Sequence, residues 1–332
     1  MNKILVPGGA GYVGSVLVPE LSKKGYEVIV FDTFWYWESP QEFLEKTGLQ
    51  GNKKVKAIKG DLRSREEVKE ALRGVNTVIQ LASISNDPSS DLDEGFTHSV
   101  NYDGNINIID ESKKAGVKRF IYASSASVYG VKEEPDVTEE IKLEPLTHYS
   151  RLKAEIEDYL LGQFDDKFKG VIIRPSTVCG YSPRLRLDVV VNILANLAVN
   201  NGKIRVFGGE QLRPNIHIRD MVDIYILLVE IDINRINKKI FNAGWENLKV
   251  AEIAEIVRKI VKNVGVEYVP TDDRRSYHVS SKKITEELGF RPKHTVEDAV
   301  RELKKAFEDG KIQNPDDDKY YNIRLMKKLL GV

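Results

Sequence analysis

The chain opens on KILVPGGAGYVG, residues 3–14, and this stretch decides the fold. An unbroken apolar run leads into three spaced glycines, Gly8, Gly11 and Gly14, after which an amphipathic segment begins. The spacing lets the backbone turn tightly, approach a pyrophosphate and pack a helix on the strand, with the helix N-terminus facing the phosphates. A simple tight turn is the other interpretation. Because the motif follows a predicted strand and precedes a predicted helix, we interpret it as a dinucleotide-binding turn.

Strands and helices continue to alternate up to about residue 175. The predicted strands are Lys3–Val6, Glu27–Phe31, Val55–Ile58, Thr77–Leu81, Arg119–Ala123 and Val171–Ile173. The predicted helices between them are Gly14–Lys24, Glu66–Leu72, Asn101–Ala115 and Arg151–Gln163. The strand runs are β-branched and show no polar alternation, as expected of strands buried on both faces. This pattern predicts an α/β fold with a Rossmann-type, doubly wound parallel sheet.

After Arg174-Pro175 the segments become shorter and more varied. We predict a smaller, mixed α/β C-terminal domain that binds the substrate and is woven from non-contiguous pieces. The predicted dinucleotide-binding domain is residues 1–174 plus 215–264, and the predicted substrate-binding domain is residues 175–214 plus 265–332. Helices are predicted here at Val250–Val264 and Thr295–Glu308.

The composition excludes several classes of protein. Fifty basic residues balance fifty acidic ones among 332, whereas a general polyanion-binding protein is expected to be basic, so we expect no nucleic-acid partner. No run approaches the ~18 apolar residues that span a membrane, and the 5 histidines lack metal-ligand spacing, so neither a membrane nor a metal is expected. The single cysteine, Cys179, fits a reducing cytoplasm.

Two aspartates that follow predicted strands indicate which dinucleotide binds. Asp32 ends the second strand, where a carboxylate can bind the adenosine ribose hydroxyls and repel a 2′-phosphate, so NAD is favoured over NADP. A strand-end turn residue is the other interpretation of Asp32. Asp61 follows the third strand and suits a contact with the adenine amino group, or the N-cap of a helix that begins near Arg63.

Tyr149 and Lys153 stand four residues apart, which places them on one face of a helix. The ammonium of Lys153 would stabilise a phenolate at Tyr149 and lower its pKa from ~10. Such a phenolate can take a proton from a hydroxyl as hydride leaves the same carbon. Ser125 follows the strand Arg119–Ala123, where its hydroxyl can reach the same oxygen. A surface pair is the other interpretation of Tyr-x-x-x-Lys, but the glycine turn upstream favours the catalytic one.

Further motifs accompany these residues over nearly the whole chain. They are GGAGYVG (8–14), GDL (60–62), LAS (81–83), Asn101-x-x-Gly104, SSASVYG (124–130) and RPNIHIRD (213–220). With Asp32 and YSRLK (149–153), they resemble the extended short-chain dehydrogenases/reductases. Within that group the resemblance is to the NAD-dependent nucleotide-sugar epimerase/dehydratase family, which includes the UDP-glucose/UDP-galactose 4-epimerases.

The resemblance implies NAD as the cofactor and assigns contacts to it. The implied contacts are Gly8, Gly11, Tyr12, Val13, Gly14, Asp32, Asp61, Leu62, Leu81, Ala82, Ser83, Asn101, Tyr149, Lys153 and Ser176. Ser125, Tyr149 and Lys153 are the implied catalytic residues. For Asn101, the N-cap of a helix is the other interpretation.

The resemblance also implies a nucleotide-diphosphate sugar as the substrate. Arg213 resembles the arginine that clamps the substrate diphosphate, and Arg275 is expected to supply a second clamp, since a guanidinium fork suits phosphate. The other implied contacts are Ser85, Ser125, Thr177, Arg186 and Phe207. A solvated charge is the other interpretation of Arg275, and a core strand that of Val206-Phe207.

The chain departs from the family pattern at two positions that bear on the reaction. Dehydratases of the family carry an Asp-Glu pair after the catalytic hydroxyl residue, whereas Ala126-Ser127 follows Ser125 here, which disfavours 4,6-dehydratase chemistry. Thr177 replaces an asparagine that binds substrate in many of the epimerases, so the sugar need not be galactose or glucose.

The resemblance therefore implies a nucleotide-sugar 4-epimerase that acts through a transient 4-keto sugar, with hydride held on bound NAD. A net C4 or C3 dehydrogenase or ketoreductase is one alternative, and a non-catalytic NAD-binding protein is another. As in the family, the helices Asn101–Ala115 and Arg151–Gln163 are expected to pair across a two-fold axis in a homodimer.

Overall fold

The structure of the chain, a computed structural model, describes residues 3–271 and 276–332. The chain divides into two compact units. The first comprises Met1–Val128, Pro145–Arg174 and Val222–Ile240, and the second comprises Tyr129–Glu144, Pro175–Met221 and Phe241–Val332. Among the described residues, no helix combines the length and the apolar character that crossing a bilayer requires.

The strands and helices are numbered in chain order. The strands are β1 (Lys3–Pro7), β2 (Glu27–Asp32), β3 (Val55–Lys59), β4 (Thr77–Gln80), β5 (Arg119–Ala123), β6 (Lys169–Pro175), β7 (Thr177–Cys179), β8 (Lys203–Phe207), β9 (Leu212–His217), β10 (Lys239–Ala243), β11 (Glu246–Lys249) and β12 (Gly265–Val269). The helices are α1 (Gly14–Lys23), α2 (Pro40–Lys46), α3 (Arg65–Ala71), α4 (Asp87–Ser90), α5 (Glu94–His98), α6 (Gly104–Lys114), α7 (His148–Gln163), α8 (Val190–Asn201), α9 (Ile218–Glu230), α10 (Val250–Val261), α11 (Lys282–Leu288), α12 (Val296–Glu308) and α13 (Asn322–Leu330).

The larger sheet has seven strands in the order β10-β6-β5-β4-β1-β2-β3, and β1 to β5 lie wholly in the first unit. In its centre β1 pairs in parallel with both β2 and β4, so Leu5 lies opposite Ile29 on one side and Val78 on the other. β5 pairs in parallel with β4 and β6. The C-terminal ends of these strands therefore lie along one edge of the sheet, which is where ligands bind in doubly wound folds.

The core of this unit explains the apolar strand runs. Ile4, Leu5 and Val6 of β1 are fully buried, so neither face of the strand meets solvent. Val68 of α3 and Ile156 of α7 belong to the hydrophobic cluster that includes Leu5. Each such buried side chain contributes roughly 1.5–3 kcal/mol to stability.

The second unit contains two small sheets and a group of helices. One sheet has the order β11-β9-β7 and is mixed, because β9 pairs antiparallel with β11 and parallel with β7. In the other, β8 and β12 pair in parallel. Helices α8, α10 and α12 pack against one another. The predicted fold class, a Rossmann-type sheet with a smaller mixed α/β unit, is confirmed.

The units divide the chain at other positions than the sequence predicts. Residues 129–144, 215–221 and 241–264, expected in the dinucleotide-binding domain, belong to the second unit. The reason is non-local pairing: β11 pairs with β9, α10 packs on α8 and α12, and the Asn242 side chain donates to the carbonyl oxygens of Val137 and Ser280.

Candidate active site

The three glycines between β1 and α1 meet different surroundings. A Cβ atom at Gly8, where φ is +75°, would lie 2.5 Å from the backbone nitrogen of Ala82, so only glycine allows this close approach. At Gly14 a Cβ would lie 2.5 Å from the carbonyl oxygen of Gly9. At Gly11, apart from its neighbours in the chain, the only described atom within 4 Å is the Gly8 carbonyl oxygen, at 3.1 Å, so the space in front of it is open.

The N-terminus of α1 behind this turn suits an anion. Val13, which precedes the helix, makes no side-chain capping hydrogen bond, and the first turn carries no acidic side chain. A helix N-terminus carries a partial positive charge and backbone amides that bind phosphate groups. The open space at Gly11 and this helix end fit the diphosphate of a dinucleotide, beside Tyr12 and Val13.

Gly8 and Gly11 should therefore fail differently when each is replaced by alanine. We expect Gly8→Ala to lower the free energy of unfolding by about 2–4 kcal/mol, because it combines backbone strain with a clash. Gly11→Ala should lower the melting temperature less, since its methyl group crowds only the Gly8 carbonyl oxygen, at 3.1 Å. It should weaken NAD binding about tenfold or more, since the same methyl group enters the open space. Thermal denaturation and calorimetric NAD titration test both. Equal losses of stability, with unchanged NAD affinity in Gly11→Ala, would contradict this assignment.

The Asp32 carboxylate lies at the end of β2 beside the glycine turn. One oxygen accepts a hydrogen bond from the Ala10 backbone nitrogen at 3.0 Å and the other from that of Phe34 at 2.9 Å. The indole nitrogen of Trp37 donates to the Ala10 carbonyl oxygen at 2.8 Å and braces the same turn. Both carboxylate oxygens are thereby held by backbone nitrogens, and the contact of Asp32 with the adenosine ribose stays a prediction.

Asp61 does not cap a helix. The N-cap of α3 is Ser64, whose side chain accepts from the Glu67 nitrogen. The Asp61 carboxylate instead binds the guanidinium of Arg63, with a shortest distance of 2.6 Å. Burial alone would raise the pKa of Asp61, but the hydrogen bonds from Arg63 lower it. Leu62 is buried in the core, and the adenine contacts of both residues stay predictions.

Asn101 holds the loop that follows β4. Its side-chain oxygen accepts from the Ile84 nitrogen at 2.8 Å, and its side-chain nitrogen donates to the Ile84 carbonyl oxygen at 3.0 Å. The helix N-cap interpretation is wrong, because Asn101 lies inside a wide π-type turn, Ser99–Asp103. The Ser83 hydroxyl also donates to Asn101, at 3.2 Å. Asn101 thus orients the segment of Leu81, Ala82, Ser83 and Ser85, which the sequence predicts to contact ligands.

Lys153 and Tyr149 face each other on α7. The Lys153 side-chain nitrogen lies 5.7 Å from the centroid of the Tyr149 ring and donates to the Ala123 carbonyl oxygen at 2.8 Å. Lys153 is only 4% exposed. Burial lowers its pKa to about 7, although the charge of Glu157 acts in the opposite direction. The side chain of Lys153 therefore changes its charge near neutral pH, beside Tyr149.

Helix α7 begins three residues earlier than the sequence predicts, and this changes the surroundings of Tyr149. Thr147 and Ser150 form a capping box, so the helix starts at His148. The Thr147 hydroxyl also donates to Asp87 at 2.7 Å. Tyr149 therefore lies in the first turn, where the partial positive charge of the helix N-terminus favours a phenolate.

Ser125 lies two residues beyond the Ala123 carbonyl that anchors Lys153. Its hydroxyl is 2.8 Å from that of Ser127 and accepts from the Ser127 nitrogen at 3.1 Å. The three predicted catalytic residues thus come from one edge of the sheet in the first unit, Ser125 after β5 and the other two from α7.

Two predicted ligand contacts lie where β7 begins, in the second unit. The Ser176 hydroxyl is buried and has no hydrogen-bond partner among the residues that the structure describes. Such a group is expected to find a partner, which fits a ligand contact. Thr177 lies opposite Asn215 in the β7–β9 pair. Both roles stay predictions.

The remaining predicted substrate contacts of this unit differ in their surroundings. Phe207 is 55% exposed whereas Val206 is fully buried, so the core-strand interpretation holds for Val206 only. The Arg213 guanidinium lies 5.9 Å from the centroid of the Tyr277 ring. Arg186 pairs with Asp188 at 2.8 Å, so a phosphate would have to share this guanidinium. Arg275 lies outside the described residues.

The sequence analysis missed a buried ion pair that involves α7 of the first unit. Glu157 lies one helical turn beyond Lys153 and binds Arg174, whose role in the first unit was not predicted. A signal was available, because Tyr149, Lys153 and Glu157 recur at a spacing of four and so share one helix face.

Comparison with known proteins places this chain in a family. The model of the NAD dependent epimerase/dehydratase family matches residues 4–244. A UDP-glucose 4-epimerase of Lactobacillus helveticus is 28% identical over 331 residues, which cover 90% of this chain and 94% of that protein. A human sterol-4-alpha-carboxylate 3-dehydrogenase, decarboxylating, is 33% identical over 238 residues, which cover 69% of this chain but 58% of that protein.

Solved structures show the same fold. The UDP-glucose 4-epimerase of Thermotoga maritima, solved with UDP-glucose, superposes with a TM-score of 0.79 at 25% identity. The superposition covers 92% of this chain and 99% of that one.

Proposed function

The chain belongs to the NAD-dependent epimerase/dehydratase family, and from this we propose that it is a nucleotide-sugar 4-epimerase. NAD, the predicted cofactor, is the one that the family uses. The observation that carries the proposal is the arrangement of Tyr149, Lys153 and Ser125 at one edge of the sheet. The similarity to two UDP-glucose 4-epimerases supports it. A homodimer that pairs α6 and α7 is part of the same proposal.

Tyr149, Lys153 and Ser125 have distinct tasks in this reaction. Tyr149, as phenolate, takes the proton of the C4 hydroxyl and later returns it to the C4 oxygen of the turned sugar. Lys153 is anchored on the Ala123 carbonyl, and its protonated form stabilises the phenolate of Tyr149. Ser125 donates a hydrogen bond to the same sugar oxygen. The chemistry that NAD supplies when bound is the reversible acceptance of a hydride.

The segment after Ser125 argues against a dehydratase. Elimination of water needs an acid to protonate the leaving hydroxyl. Ala126 and Ser127 follow Ser125, and the Ser127 hydroxyl is bonded to that of Ser125. Neither side chain is an acid at neutral pH.

Net oxidation of a ring alcohol is the second candidate. It is favoured by the similarity to the human protein that is named a 3-dehydrogenase. Tyr149 and Lys153 would have the same tasks, but the hydride would stay on the cofactor, which is released in reduced form, instead of returning to the sugar. Thr177, in place of an asparagine, leaves the identity of the sugar open.

Proton NMR of the purified chain with UDP-, GDP-, CDP- and dTDP-sugars, without added cofactor, separates the two candidates. The epimerase proposal predicts that at least one sugar is converted to its C4 epimer over many turnovers. Conversion that begins only when NAD is added, and that consumes it in proportion, would replace the epimerase by the dehydrogenase.

A further inference from the structure

Glu157 and Arg174 form a buried ion pair one helical turn beyond Lys153 on α7. The Glu157 side chain is 1% exposed and that of Arg174 is 3% exposed. The guanidinium meets the carboxylate through two nitrogens, at 3.0 Å from Nε and 2.6 Å from NH2. Because Glu157 follows Lys153 by four residues, its carboxylate lies on the same helix face.

This pair ties α7 to the strand next to β5. Arg174 lies near the end of β6, one residue after Ile173, which is opposite Ala123 in the parallel β5–β6 pair. Lys153 ties the same helix to the Ala123 carbonyl oxygen. Two polar contacts on adjacent strand ends therefore fix how α7 presents Tyr149.

Stability alone does not account for burying these charges. Replacing a buried ion pair with apolar side chains of similar volume is often neutral or stabilising, because two charges no longer have to leave water. A negative charge placed one helical turn from a buried lysine has a second effect, since it favours the protonated form of that lysine.

We propose that Glu157, held in place by Arg174, is a positioning residue that favours the protonated form of Lys153 beside Tyr149. The inference deepens the proposed function, since it takes Tyr149 as the acid/base of that reaction. Glu157 itself touches neither cofactor nor substrate in this account. It acts through Lys153.

The other titratable groups around Lys153 and Tyr149 do not take over this task. Tyr122 of β5, whose ring centroid is 5.0 Å from the Lys153 nitrogen, has a pKa raised by burial and stays neutral. Burial also raises the pKa of Tyr225 of α9. Glu157 is the one acidic group that acts on the pKa of Lys153 among the described residues.

The direct test is the titration of Lys153 itself, followed by NMR of the full chain labelled at the lysine ε-carbon and ζ-nitrogen. Lysines ordinarily titrate near 10.4, so a lysine with a pKa of about 7 stands apart, and its loss in Lys153→Met assigns the signal. We expect Glu157→Gln to lower the pKa of Lys153 by about one unit. Glu155→Gln, an exposed site on the same helix, is the matched control and should leave it unchanged.

A double variant keeps the test decisive if Glu157→Gln does not fold. Glu157→Leu with Arg174→Leu removes both charges and fills the space with apolar atoms, and it should also lower the pKa of Lys153. In the active enzyme, the alkaline limb of the pH profile of kcat/KM should move to lower pH as the pKa of Lys153 falls. An unchanged Lys153 titration in a folded variant, or an equal shift in Glu155→Gln, would overturn the proposal. The titration of Lys153 needs no substrate. Absence of turnover would therefore reject the proposed function, whereas the effect of Glu157 on Lys153 would still be decided by the titration.

Discussion

Tyr149→Phe is expected to lower kcat by about 10²–10⁴-fold, the usual contribution of a positioned general acid/base. The phenyl ring stays in place, so packing against Lys153 should persist. What disappears is the hydroxyl that exchanges a proton with the sugar. NAD should still bind, because the glycine turn and Asp32 are untouched and only the hydroxyl of Tyr149, one of the implied NAD contacts, is lost.

Tyr159→Phe is the matched control for this substitution. Tyr159 lies on the same helix, and its hydroxyl donates to Asp110 at 2.6 Å. Its loss removes one partly buried hydrogen bond to a carboxylate, worth about 1.5–3 kcal/mol, and should leave kcat near that of the original chain. The assignment of Tyr149 is wrong if the two variants turn over substrate equally fast.

Lys153→Met is expected to abolish most of the activity and yet to raise stability at pH 6. The pKa of Lys153 falls from an ordinary 10.5 to about 7 in the folded chain because the ammonium is buried. At about 1.4 kcal/mol per unit, this is a burden of a few kcal/mol on the folded state. Methionine removes it but leaves the Ala123 carbonyl without its donor, so the net gain should be on the order of 2 kcal/mol.

The sign of the pH dependence follows from the two pKa values. Between pH 7 and 10.5 the unfolded chain binds the lysine proton and the folded chain does not, so the contribution of Lys153 to stability improves as pH rises across this window. The destabilisation is complete below pH 7. The difference in melting temperature between Lys153→Met and the original chain should therefore be largest at pH 6 and shrink toward pH 10. A less stable variant at pH 6 would contradict the burial of an ammonium.

Much of the first unit could be predicted because its signals are local. β1 and the glycine turn are adjacent in sequence, and a buried parallel strand needs an uninterrupted apolar run such as Ile4-Leu5-Val6. Short strands of the second unit carry no such signal. β7 has three residues, and β11 alternates half-buried and exposed positions, so their pairing with β9 depends on distant parts of the chain.

The sequence proposes the residues of the candidate site by their type but does not give their partners in the fold. The positions of Ser125, Tyr149 and Lys153 followed from motifs. That Asn101 holds the Ile84 backbone, or that Asp61 binds Arg63, depends on which side chains folding brings together. The start of α7 was missed although its signal is local. Thr147 and Ser150, which form the capping box, are close in the sequence and place Tyr149 in the first helical turn.

The most direct test of the account is the fate of the hydrogen at C4. A nucleotide sugar that the chain converts is prepared with deuterium at C4 and incubated with the purified protein in ordinary water, without added cofactor. The account predicts that the epimer carries the deuterium at C4, because the hydride that leaves the sugar returns to the same carbon. Loss of deuterium to water, or accumulation of a keto sugar without its epimer, would contradict it.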